Sequence, residues 1–275
     1  MRRERGEHRA AARAAFLALL SAAALAVLPA AVLAATILGG PSADRLGGTA
    51  RADRILAGGG NDVLRGRGGR DVLRGQAGRD RLFGGARGDR IWGAGGADRM
   101  VGGGGGDRLL GGRGNDRGSG GKGPDRLSDG RGADRFGGGA GRDLVSPGVG
   151  NDRAAGGPGR DRLIGGRGND TLGGGAGADT LGAGPGDDHL DGALGNDRLL
   201  GGDGVDLLTG GVGDDFLAGG EGEDQLFGGD GNDTIDARDT SEDEVDCGPG
   251  EDTVLLGEQE SGVFDCENAI FAPGV

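Results

Sequence analysis

Residues 165–173 read GGRGNDTLG and residues 219–227 read GGEGEDQLF, two near-copies of one nine-residue unit. In both, glycine stands two residues before an aspartate and leucine two residues after it, so each unit joins a glycine turn to a very short alternating strand. Counting outward in steps of nine finds aspartate at every position from Asp44 to Asp233, 22 in register without a miss. Glycine holds its place before the aspartate in 19 of the 22 units, the exceptions being Ser42, Arg51 and Arg87. A large apolar residue holds its place after the aspartate in 20 of 22, the exceptions being Gly118 and Ala154. Chance composition does not keep such a clock. One x-apolar-x strand buries nothing alone, so the units must stack, closing backbone ladders over a continuous apolar stripe.

This periodicity resolves an odd composition. Of 275 residues 71 are glycine, and Leu, Ile, Val and Phe together supply about a fifth, too little for an ordinary globular core. Tyrosine is absent, Trp92 is the single tryptophan, and His8 and His189 are the only histidines, a poor inventory for general acid and base chemistry. No H-E-x-x-H, G-x-S-x-G or P-loop is present, and the many G-x-G-x-x-G matches are by-products of the repeat. The expectation is a non-enzyme.

The stretch GGDGNDTID at 228–236 concentrates oxygen donors in Asp230, Asn232, Asp233 and Asp236. As a self-contained single-loop calcium site it fails: counting from Asp230 puts Thr234 at position 5, Ile235 at position 6 and Ser241 at position 12, where that pattern needs an acidic or amide side chain, a glycine and a glutamate. Any site here must borrow ligands from neighbouring turns.

The repeat resembles the hemolysin-type, or RTX, calcium-binding nonapeptide GGxGxDxUx, with U a large apolar residue, and the likeness covers residues 39–236 almost entirely. The resemblance implies an all-β fold, a parallel β-roll or β-solenoid with two nonapeptides per coil, hence about 11 coils and a rod on the order of 50 Å long. Leu163, Leu172, Leu181, Leu190, Leu199, Leu208, Leu217 and Leu226 would line its interior in two rows. It also implies several Ca2+ ions held between turns by repeat aspartates and backbone carbonyls. The aspartates so implicated are Asp62, Asp71, Asp80, Asp98, Asp107, Asp116, Asp125, Asp134, Asp143, Asp152, Asp161, Asp170, Asp179, Asp188, Asp197, Asp206, Asp215, Asp224 and Asp233. Oxygen ligands on glycine turns suit calcium better than magnesium, which keeps its water and demands a strict octahedron. The other reading has these aspartates capping turns through backbone amides, with no metal.

The two ends differ from the array. Residues 1–34 carry Arg2, Arg3, Arg5, Arg9 and Arg13, then an apolar run ending in Val32-Leu33-Ala34-Ala35, the pattern of a cleaved secretory signal peptide. The run from Ala14 to Leu38 is also long enough for a membrane anchor, the one route by which a membrane would be a partner. Either way the chain is expected to be secreted, extracellular or held at the cell surface. An N-terminal signal departs from the type I export of RTX toxins and proteases, which use an uncleaved C-terminal signal. Residues 237–275 hold two degenerate units around Asp243 and Asp252. Then comes a glycine-poor segment with Leu255, Leu256, Val263, Phe264, Ile270 and Phe271, expected to cap the open apolar stripe. Cys247 and Cys266, the only cysteines, read as a disulfide in an oxidising compartment.

Charge divides the chain. Residues 35–170 hold 24 basic and 16 acidic residues, net +8, whereas residues 171–275 hold 26 acidic residues against Arg198 and Arg238, net −24. Arginine follows the repeat aspartate at 45, 54, 81, 90, 99, 108, 117, 126, 135, 153 and 162, pointing outward beside a carboxylate. The simpler reading is a solvated ladder loosely paired with the aspartates; the sharper one is an anionic glycan bound along a basic face, nucleic acid being disfavoured by the scarcity of stacking aromatics. Extra acids at Asp187, Asp203, Asp214, Glu221, Glu223 and Asp230 lead to the expectation of tighter calcium binding in 171–246 than in 39–170. The main rival function is an adhesive or structural surface rod that contacts a glycan or a protein. Its contact strip would be the residues three after the aspartate, Leu56, Phe83, Trp92, Val101, Leu110, Ile164, Leu200 and Phe227.

Overall fold

A computed structural model describes residues 34–257 and 262–271; residues 1–33, which carry the expected signal segment, lie outside them. Strands alternate between two parallel sheets of 14 and 13 strands, with no helix among the described residues. Partners in each sheet are 18 residues apart through the regular array, two units per coil. Leu172, Leu190, Leu208 and Leu226 stack in one sheet, and Leu163, Leu181, Leu199 and Leu217 in the other.

The period-2 alternation decides what faces in. From Ile55 to Val254 the apolar residue two after each aspartate is buried, in one continuous core that Leu256 joins and against which Leu46 is partly buried. Each buried leucine contributes about 2 kcal/mol relative to exposure. Backbone groups are consumed by the coil below: Thr171 N–H donates to Asp152 O at 2.9 Å and Arg81 N–H to Asp62 O at 2.8 Å. The two exceptions in the apolar column explain each other. Gly118 and Ala154 are the sheet neighbours of Phe136 on either side, and the Phe136 ring fills the space that a side chain at Gly118 would need.

The solenoid has about 13 turns, more than the 11 expected from regular units, because both ends also pair. Thr36–Leu38 joins Arg54–Gly59 at the start. After Asp233, Glu244–Asp246, Thr253–Leu256, Gly262–Phe264 and Asn268–Phe271 extend both sheets in parallel register. Leu256 and Val254 enter the core, Val263 packs partly against it, and Phe264 and Ile270 remain exposed. The Cys247–Cys266 disulfide, Cα–Cα 5.2 Å, ties this last turn to the one beneath it, with Cys247 wholly buried.

Candidate metal centres in the turns

Each turn is built from residues that tolerate left-handed backbone. In 165–173, Gly166 has φ 125° and Gly168 φ 118°, values that strain any residue with a Cβ. Where glycine is missing the backbone still takes this shape: Arg67, Gln76, Arg87, Ala94 and Ala193 have φ between 72° and 87°.

The aspartates turn inward. From Asp53 to Asp233 the repeat aspartates are 1–4% exposed. One carboxylate oxygen is used along the rod: Asp152 N–H donates to Asp170 Oδ1 at 2.8 Å, and Asp170 N–H to Asp188 Oδ1 at 2.6 Å, in a ladder that runs from Asp44 to Asp252. The other oxygen, Oδ2, is buried without a hydrogen-bond partner in every repeat aspartate from Asp62 to Asp233. Buried polar atoms rarely stay unpaired, so a whole column of them calls for a partner.

The space beside these oxygens is kept open by glycine. A Cβ placed on Gly156 would lie 2.5 Å from Asp161 Oδ2 and 2.6 Å from Gly174 O; one on Gly210 would lie 2.5 Å from both Asp215 Oδ2 and Gly228 O. A carboxylate oxygen and a carbonyl oxygen from the coil above therefore converge on one cradle, repeated up the rod. An all-oxygen donor set on close-packed turns suits a hard cation such as calcium.

Burial pushes these carboxyls up, the stacked N–H opposes it, and neighbouring carboxylates reinforce it in most, though not at Asp107. Asp89, Asp98, Asp125, Asp170, Asp215 and Asp224 reach about 7. Asp107, Asp161, Asp197, Asp206 and Asp233 reach about 6. Outer acids add to the effect in the second half, where Asp187 and Asp203 raise Asp206, and Asp214 raises Asp215 and Asp233.

All 19 aspartates expected from the sequence have the buried, unpartnered Oδ2, but the cradle glycine is replaced by Ala57 beside Asp62, Asp129 beside Asp134, Pro147 beside Asp152 and Ala183 beside Asp188. The structure extends the set. Asp89, whose unit has Arg87 in place of a turn glycine, has the same buried Oδ2 and a pKa raised to about 7; its place in the nine-residue clock is the signal that marks it. Asp44 and Asp53 differ. Gly40 N–H donates to Asp44 Oδ2 at 2.8 Å, and the Thr49 N–H and hydroxyl donate to Asp53 Oδ2 at 2.5 and 2.9 Å. Burial raises Asp53, but these bonds and the Ala35 N–H outweigh it and leave its pKa lowered.

One further carboxylate lies inside the roll. Asp129 stands in the cradle column, which is glycine in most units and Ala57, Pro147 or Ala183 in three others. Asp116, Asp129 and Asp134 each offer a carboxylate oxygen, all within 4.8 Å of one another. Burial first, and the charges of Asp116 and Asp134 after it, push Asp129 up to about 8, against the N–H groups of Gly112 and Gly130. Departure from the glycine column marks this residue in the sequence.

The expected pairing of arginines with repeat aspartates is not formed. The carboxylates face the interior while the arginines face solvent, and among the described residues the ion pair within 4.0 Å is Arg238–Asp236 at 2.7 Å.

Matches to a family model, described as the RTX calcium-binding nonapeptide repeat, fall at residues 38–73, 47–82, 74–109, 110–145, 147–181, 182–217 and 209–239. A comparison with curated proteins found no match. With its 18-residue coils, inward aspartate columns and matches spanning nearly all of 38–239, the chain belongs to the RTX calcium-binding nonapeptide repeat family.

Proposed function

We propose that this chain is a secreted or surface-held, non-catalytic rod whose β-roll is stabilised by calcium bound between successive turns. The observation that carries the reading is the buried, unpartnered Oδ2 column facing turn carbonyls. Ligands would be the repeat aspartates from Asp62 to Asp233, Asp89 included, with the cradle carbonyls. Calcium supplies the positive charge that lets stacked carboxylates stay ionised, so binding free energy becomes folding free energy. The glycines hold the carbonyls in place, and the leucine rows supply the core on which the turns close.

Export is proposed from residues 1–34, read as a signal peptide, and is in keeping with the Cys247–Cys266 disulfide, since such bonds persist in oxidising compartments. The regular array is assigned to 39–236 and the irregular end to 237–275. Tighter binding is assigned to 171–246, where the exposed Asp187, Asp203, Asp214, Glu221, Glu223 and Asp230 surround the turns.

Calcium titration of the full chain by calorimetry, with circular dichroism in parallel, tests the reading. Multiple calcium ions per chain, with a gain of β signal that a chelator reverses, is the expected outcome. A chelator-resistant β spectrum with no calcium uptake at millimolar concentration would overturn it.

A further inference from the structure

The N-terminal half of the rod has an outer surface of one sign. Every one of the 16 acidic residues in 35–170 is either a repeat aspartate or Asp129, and from Asp53 onward the repeat aspartates are buried within the roll. All 24 basic residues of the same stretch are exposed, and none of them forms an ion pair among the described residues.

On the 13-stranded sheet this charge is ordered. Arg81, Arg99, Arg117, Arg135 and Arg153 are direct register partners in five successive coils. The rungs repeat at about 4.8 Å along the rod axis, so the row spans about 19 Å. Like charges directly opposite in a sheet oppose folding, and no carboxylate pairs with them among the described residues. The row ends where Thr171 replaces arginine. On the other sheet the matching run is shorter, Arg90, Arg108 and Arg126, closed off by Val72 on one side and Leu144 on the other.

We propose that the five-rung arginine ladder binds a linear anionic polysaccharide, carboxylated or sulfated, laid along the rod axis. Guanidinium forks on a straight, regular track suit carboxylate or sulfate groups displayed at intervals along an extended polymer. The neighbouring outward row on the same strands is Phe83, Val101, Ser119, Gly137 and Ala155. Beside the last three arginines it is a shelf of small residues against which sugar rings can lie. Nucleic acid lacks its stacking platform there. The one aromatic of the row, Phe83, is already covered by Arg65 and Arg81, 5.6 and 5.9 Å from its centroid. This inference stands apart from the calcium reading, because the ladder lies on the sheet face and not in the turns.

The test uses the full chain with calcium, and polygalacturonate, dextran sulfate and a single-stranded DNA 20-mer as probes. Two triple variants lose the same charge: Arg99→Ser, Arg117→Ser, Arg135→Ser on the ladder, and Arg90→Ser, Arg108→Ser, Arg126→Ser on the other sheet. Polysaccharide affinity should fall at least about tenfold in the ladder variant and less than about threefold in the control, with circular dichroism unchanged in both. Equal losses would reduce the ladder to diffuse charge attraction and overturn the proposal, as would DNA binding tighter than either polysaccharide. Salt-sensitive self-association that masks the ladder, seen by light scattering, would assign this face to the acidic half of a second copy instead.

Discussion

Removing calcium should make the stability of the roll depend on pH in the direction opposite to that of most acidic proteins. Neighbouring carboxylates in a column are one rung apart, about 4.8 Å, so each adjacent ionised pair costs about 3 kcal/mol at an effective dielectric constant near 20. Three such pairs cost about 10 kcal/mol, comparable with the whole stability of an ordinary domain. A metal-free roll therefore holds protons on its columns: burial first, with this repulsion added to it, puts Asp98, Asp170 and Asp215 at about 7 against about 4 in an unfolded chain. The folded state binds more protons than the unfolded one. The resulting stabilisation is complete below about pH 4 and is lost as pH rises through about 6 to 7.

Calcium reverses the trend, because it binds the ionised form and competes with protons. Two sites filled at a hundredfold excess over Kd add about 5 kcal/mol, a shift in Tm of about 10–20 °C for a domain of this size. Thermal melts followed by circular dichroism, in chelator and in calcium, at about pH 5 and about pH 8, read this directly. Low protein concentration is needed at the acid end, since the sequence pI is about 4.6. In chelator the midpoint should fall from pH 5 to pH 8; in calcium it should rise. A chelator midpoint indifferent to pH, or a calcium shift as large at pH 5 as at pH 8, would refute the stacked-carboxylate account.

Arg87 holds φ 76° where 19 of the 22 units have glycine, so Arg87→Gly should stabilise the chain by about 1 kcal/mol in urea unfolding. Phe136→Ala should cost about 3 kcal/mol. Adding Gly118→Ala, destabilising alone because the Phe136 ring occupies its Cβ position, should recover part of that loss in a double-mutant cycle. Reducing the Cys247–Cys266 bridge, which closes a separation of 19 residues, should cost about 3 kcal/mol and first release the last turn, as amide exchange in 262–271 would report.

Most of the architecture is legible in the sequence because one periodicity encodes two geometries. Nine residues advance the chain half a coil, so a column every nine residues fixes the alternation of sheets, the 18-residue register and the inward leucines together. The site is legible only in part. That Asp170 faces inward, bonds Asp188 along the rod and leaves Oδ2 unpaired depends on rotamer and stacking, to which the sequence pattern is blind. Asp89 escapes any reading that demands a turn glycine, because Arg87 adopts the glycine conformation under strain instead. The loose pairing of arginines with aspartates is absent for a steric reason. Adjacent residues in a strand point to opposite faces, so an arginine that follows a buried aspartate turns away from it: Arg162 is exposed while Asp161, its neighbour in the chain, is buried.

That alternation separates two kinds of constraint along the chain. The aspartate, cradle-glycine and apolar columns meet backbone atoms of the next coil, as the carbonyl of Gly174 meets the space above Gly156, so a change in any of them disturbs the stacking of its neighbours. The outward positions meet only solvent and the side chains one rung away. They are free to carry arginine on five successive rungs in one half, and in the other half Asp191 and Asp203, with no adjustment of the interior. A rod built this way turns its aspartate columns and its core inward. Its outward residues vary rung by rung, so the change from arginine at 153 to threonine at 171 marks the boundary between two surfaces on one continuous fold.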